Sequence, residues 1–261
     1  MDEYENLTYE VKDNTAIIGI NRPKAMNALN KGVRDDLRAA IDRIEASDDV
    51  GAVIITGAGD KAFVAGADIS EFVGLTPLGT QDLCADLHSL LDKIELFSKP
   101  VIAAVNGLAF GGGCELLLAC HLRICSDKAL FGLPELGLGV IPGGGGTQRL
   151  PRVIGKGRAL EVMLTGKNVD AQEAYRIGLV NKVVPGDKLM EESQGMAKMI
   201  LKKSPAAVRM TLQAVNEGMM TDQVTALRLE KKLVGITFST EDCKEGINSF
   251  LEKRKPSFTG R

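Results

Sequence analysis

Apolar and polar positions along the chain change spacing in a recurring order. Residues 7–13 (LTYEVKD) and 15–21 (TAIIGIN) read as two short strands around a turn at 12–14. Residues 30–47 then switch to helical spacing: Val33, Leu37, Ala40, Ile41 and Ile44 share one face, and Asn30 is placed to cap it. Residues 50–57 (VGAVIITG) have no polar alternation, as in a strand buried on both faces. A second helix is predicted over 80–98, with Leu83, Leu87, Leu90, Leu91 and Ile94 inward. The strand 101–107 follows Pro100, and a run of three glycines leads from it into a further helix. Residues 121–126 and 129–132 read as strands. Strands repeatedly followed by a helix predict an α/β fold with crossover helices.

From about Ala171 onward the spacing is helical almost throughout: residues 171–178, 187–204, 205–219, 221–237 and 240–254 all carry it. The C-terminal third is therefore predicted to be a helical layer. Its apolar faces need something to cover, either the first part of the chain or a neighbouring subunit.

Composition narrows the classes. The chain has 261 residues, 44% of them apolar and 25% charged, which is enough for a sizeable core. A net charge of −2 creates no bulk field for nucleic acid or an anionic membrane. The acidic start matches neither a signal nor a transit peptide, and no apolar run has the length of a membrane span. The five cysteines are odd in number and without a C-x-x-C pair, as expected of reduced thiols in a cytoplasmic protein.

Candidate chemistry lies in the glycine-rich stretches. Gly57, Gly59 and Ala62 fit a dinucleotide-binding pattern, but no helical periodicity follows them. Residues 143–146 are four glycines without the Lys-Ser/Thr of a phosphate loop, and packing explains them as well as a site does. Gly111, Gly112 and Gly113 open a helix, whose first N–H groups lack internal acceptors and whose dipole is positive there. Such an end suits a developing oxyanion. Glu115 falls in the first turn, where it either favours the dipole or takes part in chemistry. Glu135, flanked by Leu133, Leu136 and Leu138, is a second carboxylate in apolar surroundings. Two such groups are the parts needed for acid–base work on water. Cys120, His121 and Cys125 fit no common zinc spacing, so no metal site is expected; His121 is expected to be packed or hydrogen-bonded, and His88, on the second predicted helix, to be structural or exposed.

Across nearly its full length the chain resembles the crotonase (enoyl-CoA hydratase/isomerase) superfamily. The resemblance is carried by INRPKAMNALN, VIITGAGDKAFVAGADISEF, KPVIAAVNGLAFGGGCELLLACHLRI, FGLPELGLGVIPGGGGTQRLPRVIG, AYRIGLVNKVV and SFLEKRKPSF, in that order. It implies a spiral of repeated ββα units with a C-terminal helical trimerisation region. We therefore expect a core domain over 1–195 carrying the active site and a helical region over 196–261, assembled as a homotrimer or homohexamer. The implied substrate is an acyl-CoA thioester. Coenzyme A enters as part of that substrate, and no separate cofactor is expected.

The resemblance also assigns residues. Ala67 and Gly112 match the backbone donors of the oxyanion hole. Glu115 and Glu135 match the two glutamates of hydratase members. Lys24, Ala25 and Met26 match the CoA-contacting loop, while Ala65, Asp68 and Ile69 match the loop beside thioester and pantetheine. Phe250 and Lys253 match positions that reach the nucleotide end of CoA, often on a neighbouring subunit. Residues 71–83 fall where the family varies most and shapes the acyl pocket. Retention of both glutamates implies addition of water to a 2-trans-enoyl-CoA, giving a 3-hydroxyacyl-CoA. An isomerase, or a hydratase of a branched or cyclic enoyl-CoA, is the alternative within the family. RNA binding, assigned to some relatives, sits poorly with the charge and the 4% aromatic content. A serine hydrolase sits poorly with the lack of G-x-S-x-G.

Overall fold

The computed structural model describes residues 4–261. Residues 1–3, the beginning of the acidic start, lie outside the described residues. β1 (Leu7–Lys12) and β2 (Thr15–Ile20) form an antiparallel hairpin. Its turn residues Asp13 and Asn14 have φ of 47° and 57°, the left-handed pair that matches strand twist in a two-residue hairpin. In α1 (Lys31–Glu45) the Asn30 side chain accepts from Val33 N at 2.9 Å, as the spacing predicts.

Three units then repeat one plan. β3 (Ala52–Gly57) and β4 (Ala62–Val64) precede α2 (Pro77–Glu95). β5 (Val101–Val105) and β6 (Leu108–Phe110) precede α3 (Gly112–Ala119). β7 (Leu122–Ser126) and β8 (Leu130–Gly132) precede α4 (Gly146–Ile154). After α5 (Lys156–Thr165), the chain adds β9 (Val169–Asp170), α6 (Ala171–Arg176) and β10 (Lys182–Val184). The first strand of each unit joins a six-stranded sheet, ordered β1-β2-β3-β5-β7-β10, and the second joins a four-stranded sheet, ordered β4-β6-β8-β9. This is the expected spiral of ββα units.

The continuous apolar texture of β3 and β5 follows from burial on both faces. Val53, Ile55, Val101 and Ala103 enter the main core with Leu37, Ile41, Leu90 and Leu91 of the first two helices. The alternate residues Ala52, Ile54, Ile102 and Ala104 face a second cluster with Leu189 and Ala197 of α7 (Leu189–Ile200). The position 195/196 therefore falls inside a helix that covers the main sheet. Beyond it, α8 (Pro205–Gly218) and α9 (Gln223–Phe238) pack on each other, and α10 (Glu241–Leu251) packs on α9. These helices leave Val215, Leu227, Val234, Ile236 and Phe238 exposed, so the described part of one chain does not cover them.

Several expectations shift. α2 begins at Pro77 rather than at 80, because Thr76 caps Gly79 N at 3.1 Å and Pro77 suits a first helical position. Leu83 and Leu87 are half-buried rather than enclosed. α4 and α5 occupy a stretch in which no helix was expected. The glycine run before α4, Pro151 within it and Gly155 at its end hide the helical period. β4 and β6 have three residues each, too few for a period to register.

Candidate active site

β6 is a strand of the second sheet, and after it Gly111 turns the chain with φ 49° and ψ −124° so that α3 starts at Gly112. Gly113 must remain a glycine, since a β-carbon there would overlap the Val64 carbonyl. Opposite this helix end lies the segment after β4. Leu29 N donates to Gly66 O at 2.9 Å and Asp68 N to Leu29 O at 3.0 Å, which holds Ala67 between them. A β-carbon on Gly112 would lie 3.4 Å from Ala67 N and 3.5 Å from Leu29 Cδ1. The two amides expected to act together thus sit side by side. Among the described residues neither Ala67 N nor Gly112 N donates to a protein acceptor.

Glu115 lies one turn into α3 and is 2% exposed. Its Oε1 accepts from Gly144 N at 2.7 Å and Gly146 N at 2.8 Å, from the turn that starts α4. Burial raises the Glu115 carboxyl above its ordinary value, while these two amides, His88 and Arg149 pull it down. The glycines at 144 and 146 leave room for the carboxylate, because a β-carbon at Gly144 would stand 2.5 Å from Glu115 Oε2 and one at Gly146 3.0 Å from Oε1. The four-glycine run is therefore part of the site.

Glu135 opens a 3-10 turn over Glu135–Leu138. A β-carbon at Gly111 would lie 3.1 Å from Glu135 Oε1, so this carboxyl faces the start of α3 from the other side. Its Oε2 is buried without a hydrogen-bond partner among the described residues. Burial, reinforced by the charge of Glu115, pushes Glu135 up to about 7. Two free amides and two carboxyls in unlike environments thus converge at one helix end. Such a set can polarise a carbonyl, take a proton from water at one carboxylate and deliver one from the other.

A sequence model of the enoyl-CoA hydratase/isomerase family matches residues 10–261. The chain belongs to that family. It is 47% identical over 258 residues, 99% of both chains, to a crotonyl-CoA hydratase from Syntrophomonas wolfei subsp. wolfei. It is also 47% identical over 253 residues, 97% of both chains, to a short-chain-enoyl-CoA hydratase from Clostridium acetobutylicum. A crystal structure of enoyl-CoA hydratase from Bacillus anthracis superimposes with a TM-score of 0.94 at 39% identity, covering 98% of this chain and 100% of the other.

In this member of the enoyl-CoA hydratase/isomerase family, the residues expected along CoA divide into two places. Lys24 and Ala25 form a 3-10 turn, Pro23–Ala25, and Met26 follows with φ 51°. Met26 O accepts from Ala65 N at 3.0 Å, so this loop borders the Ala67 segment. Asp68 pairs with Arg22 at 3.1 Å and caps Ser70 at the head of the turn Ile69–Phe72. Those bonds from Ser70 and Arg22 hold the Asp68 carboxyl below its ordinary value. Ile69 is exposed beside it. Phe250, 83% exposed, and Lys253, with φ 54°, instead stand at the end of α10. The main packing partners of α10 are α9 and the chain's last residues, Thr259 and Gly260, which donate to Asp242.

Other expectations resolve simply. His121 Nδ1 accepts from Val101 N at 2.9 Å and its Nε2 meets Glu95 O at 3.1 Å, so it is a packed, bonded histidine, lowered by burial to about 4. His88 is exposed. The cysteines are free thiols. No helix among the described residues is long and apolar enough to cross a membrane. After Gly59 the chain enters β4 rather than a helix, which removes the dinucleotide reading.

Three residues that bear on the site escaped sequence reasoning. Asn27, 1% exposed, donates to Ala58 O and Ala62 O and so pins the loop carrying Met26. Arg34, 5% exposed, pairs with Glu71 and Asp86 at 2.7 Å each, tying α1 to the Ile69–Phe72 turn and to α2. Its signal was available: Arg34 lies three residues before Leu37 and seven before Ile41, on the apolar face. Arg149 is the third.

Proposed function

We propose that this protein is an enoyl-CoA hydratase acting on short 2-trans-enoyl-CoA thioesters. The observation that carries the reading is the pairing of Glu115, held by two amides, with Glu135, buried and unpartnered, beside the free amides of Ala67 and Gly112. The names of the two relatives at 47% identity support both the reaction and the short acyl chain.

In this proposal the thioester oxygen accepts from Ala67 N and Gly112 N. Carbonyl polarisation draws electron density from Cβ. Water, oriented by the Glu115 carboxylate, forms the new C–O bond at Cβ and gives its proton to Glu115. The π electrons pass to Cα and the thioester oxygen, where the two amides stabilise the enolate. Glu135, whose burial favours the protonated form, delivers its proton to Cα. One water is added, and proton exchange resets the two carboxyls. Neither step uses a metal or a redox cofactor. Lys24, Ala25, Met26, Ala65, Asp68 and Ile69 are proposed to flank CoA.

Phe250 and Lys253 are proposed to contact CoA from a neighbouring subunit of a homotrimer or homohexamer. The exposed apolar residues of α9 and α10 support that assembly. Light scattering at micromolar protein tests it: a monodisperse monomer would contradict it.

A panel of CoA thioesters of graded length and branching tests the reaction. Product analysis should show 3-hydroxyacyl-CoA, fastest from crotonyl-CoA. Migration of a 3-enoyl double bond without hydration would favour an isomerase instead.

A further inference from the structure

Glu115 is fixed by the peptides of the Gly144–Gly146 turn, and that turn has an outer face. Gly144 N–H points to Glu115, while Gly144 O accepts from Arg149 Nη1 at 3.0 Å. A β-carbon on Gly145, whose φ is 97°, would overlap the same Nη1, so the guanidinium lies directly against the turn. The rest of the fork is used on α2: Nε meets Glu95 Oε2 at 2.7 Å and Nη2 meets Asp92 Oδ1 at 2.5 Å. The Arg149 side chain is only 11% exposed. Leu87 of α2 also packs against Gly144, since a β-carbon there would lie 2.7 Å from its Cδ2.

Resting on the proposed hydratase reaction, we infer that Arg149 is a positioning residue: its guanidinium locks the Gly144–Gly146 turn to α2 and thereby fixes the angle and charge state of the Glu115 carboxylate. It touches no substrate. All three of its hydrogen bonds are made to charged or peptide oxygens on two different elements, which a lysine ammonium cannot reproduce as a planar fork. The outer face opens into a cleft of about 410 Å³ lined by His88, Gln148, Arg149, Arg152, Asn216 and Met219, so the interaction works at the edge of solvent rather than deep in the core.

The charged and titratable groups facing Glu115 are few. They are Arg149 on α4, His88 and Cys84 on α2, Cys114 on its own helix and Glu135 on the 3-10 turn. Of these, Arg149 carries a positive charge at every working pH. Its loss therefore removes a charge that favours the Glu115 carboxylate, and Glu115 should take up its proton at higher pH.

The test uses Arg149→Met, Arg149→Gln and Arg149→Lys in the full-length protein, with two independent readouts. First, carbon-13 NMR follows the Glu115 carboxyl, assigned by loss of its signal in Glu115→Gln. Its midpoint should rise in the Met and Gln variants and stay nearer wild type in the Lys variant. Second, crotonyl-CoA kinetics should show kcat lowered about 10–100-fold in Met and Gln, less in Lys, with KM changed little. The acidic limb should follow the NMR midpoint. An unchanged Glu115 midpoint in a folded Met or Gln variant overturns the inference, as does a variant that melts early but keeps wild-type kcat and pH profile. Wild-type protein that fails to hydrate crotonyl-CoA contradicts the proposed reaction instead, and the NMR titration still decides the role of Arg149.

Discussion

Glu115 and Glu135 meet at one helix start, both raised by burial but unequally supplied with hydrogen-bond donors. The first is held as an acceptor by two peptide N–H groups, while the second has a buried oxygen with no partner and is raised to about 7, in part by the charge of the first. In the proposed hydration that asymmetry assigns the base role to one residue and the acid role to another of the same type.

A bell-shaped rate profile follows. The proposed hydration needs Glu115 ionised and Glu135 protonated. kcat/KM, which reports the groups of the free enzyme, should therefore fall as pH rises through about 7, where Glu135 loses its proton. It should also fall on the acid side, at a pH above the ordinary carboxylate range, because burial raises Glu115. Dehydration of the 3-hydroxyacyl-CoA needs the reversed pair, with the same number of protons, and should show similar limbs. A rate independent of pH from about 5 to 9 would contradict this.

The same asymmetry bears on stability. Folding raises Glu135 from 4.5 to about 7, so the folded state holds that proton more tightly. The resulting stability is fully present below the unfolded value and is lost as pH rises through about 7. Glu135→Gln cannot ionise and escapes the loss. Its melting temperature should gain on wild type as pH rises from about 5 to 8, then hold a constant lead. A difference that does not vary with pH over this range would contradict the assignment.

Neighbouring glycines should behave differently. At Gly112 a β-carbon meets only ordinary contacts, so Gly112→Ala should fold, with its methyl intruding between the two amides. Gly112→Pro removes the N–H at a first helical position that tolerates proline, and should lose about 10²–10³ in kcat or more. Gly113→Ala meets the Val64 carbonyl and should lose the fold itself. Melting curves beside crotonyl-CoA turnover distinguish the three, and a folded Gly112→Pro with normal turnover would refute the role of that amide.

Arg34 should matter for stability. Arg34→Met removes the buried guanidinium that bridges Glu71 and Asp86 and should lower the unfolding free energy by about 1–2 kcal/mol, since both carboxylates reach solvent and Asp86 keeps Arg38. Urea unfolding measures it, and a loss below about 0.5 kcal/mol would show that solvent screens the pair.

Much of this was legible in the sequence, for physical reasons that differ by element. α1 could be read because Asn30 caps it and its apolar residues recur at helical spacing. The start of α3 could be read because three glycines before a carboxylate have a chemical meaning at a helix N-terminus. α4 was hidden because the glycines that open it were chosen for Glu115, not for helix propensity. The contacts of Arg34 and Arg149 were hidden because each joins elements separated by 37 to 57 residues, beyond any local period. The meeting of Glu115 with Glu135 likewise exists only through the fold, and before the structure only family resemblance brought them together.

The most direct test of the two-carboxylate mechanism is steady-state hydration of crotonyl-CoA by wild type, Glu115→Gln, Glu135→Gln and the double variant, beside binding of a CoA thioester. Glutamine keeps size and hydrogen bonding but exchanges no proton. Each single variant should bind the thioester near normally and lose about 10²–10⁴ in kcat. The double variant should be little worse than the weaker single one, because both groups serve one addition of water. A Glu115→Gln protein that melts early but turns over normally would contradict the mechanism, leaving Glu115 as no more than a charge placed at the N-terminus of its helix.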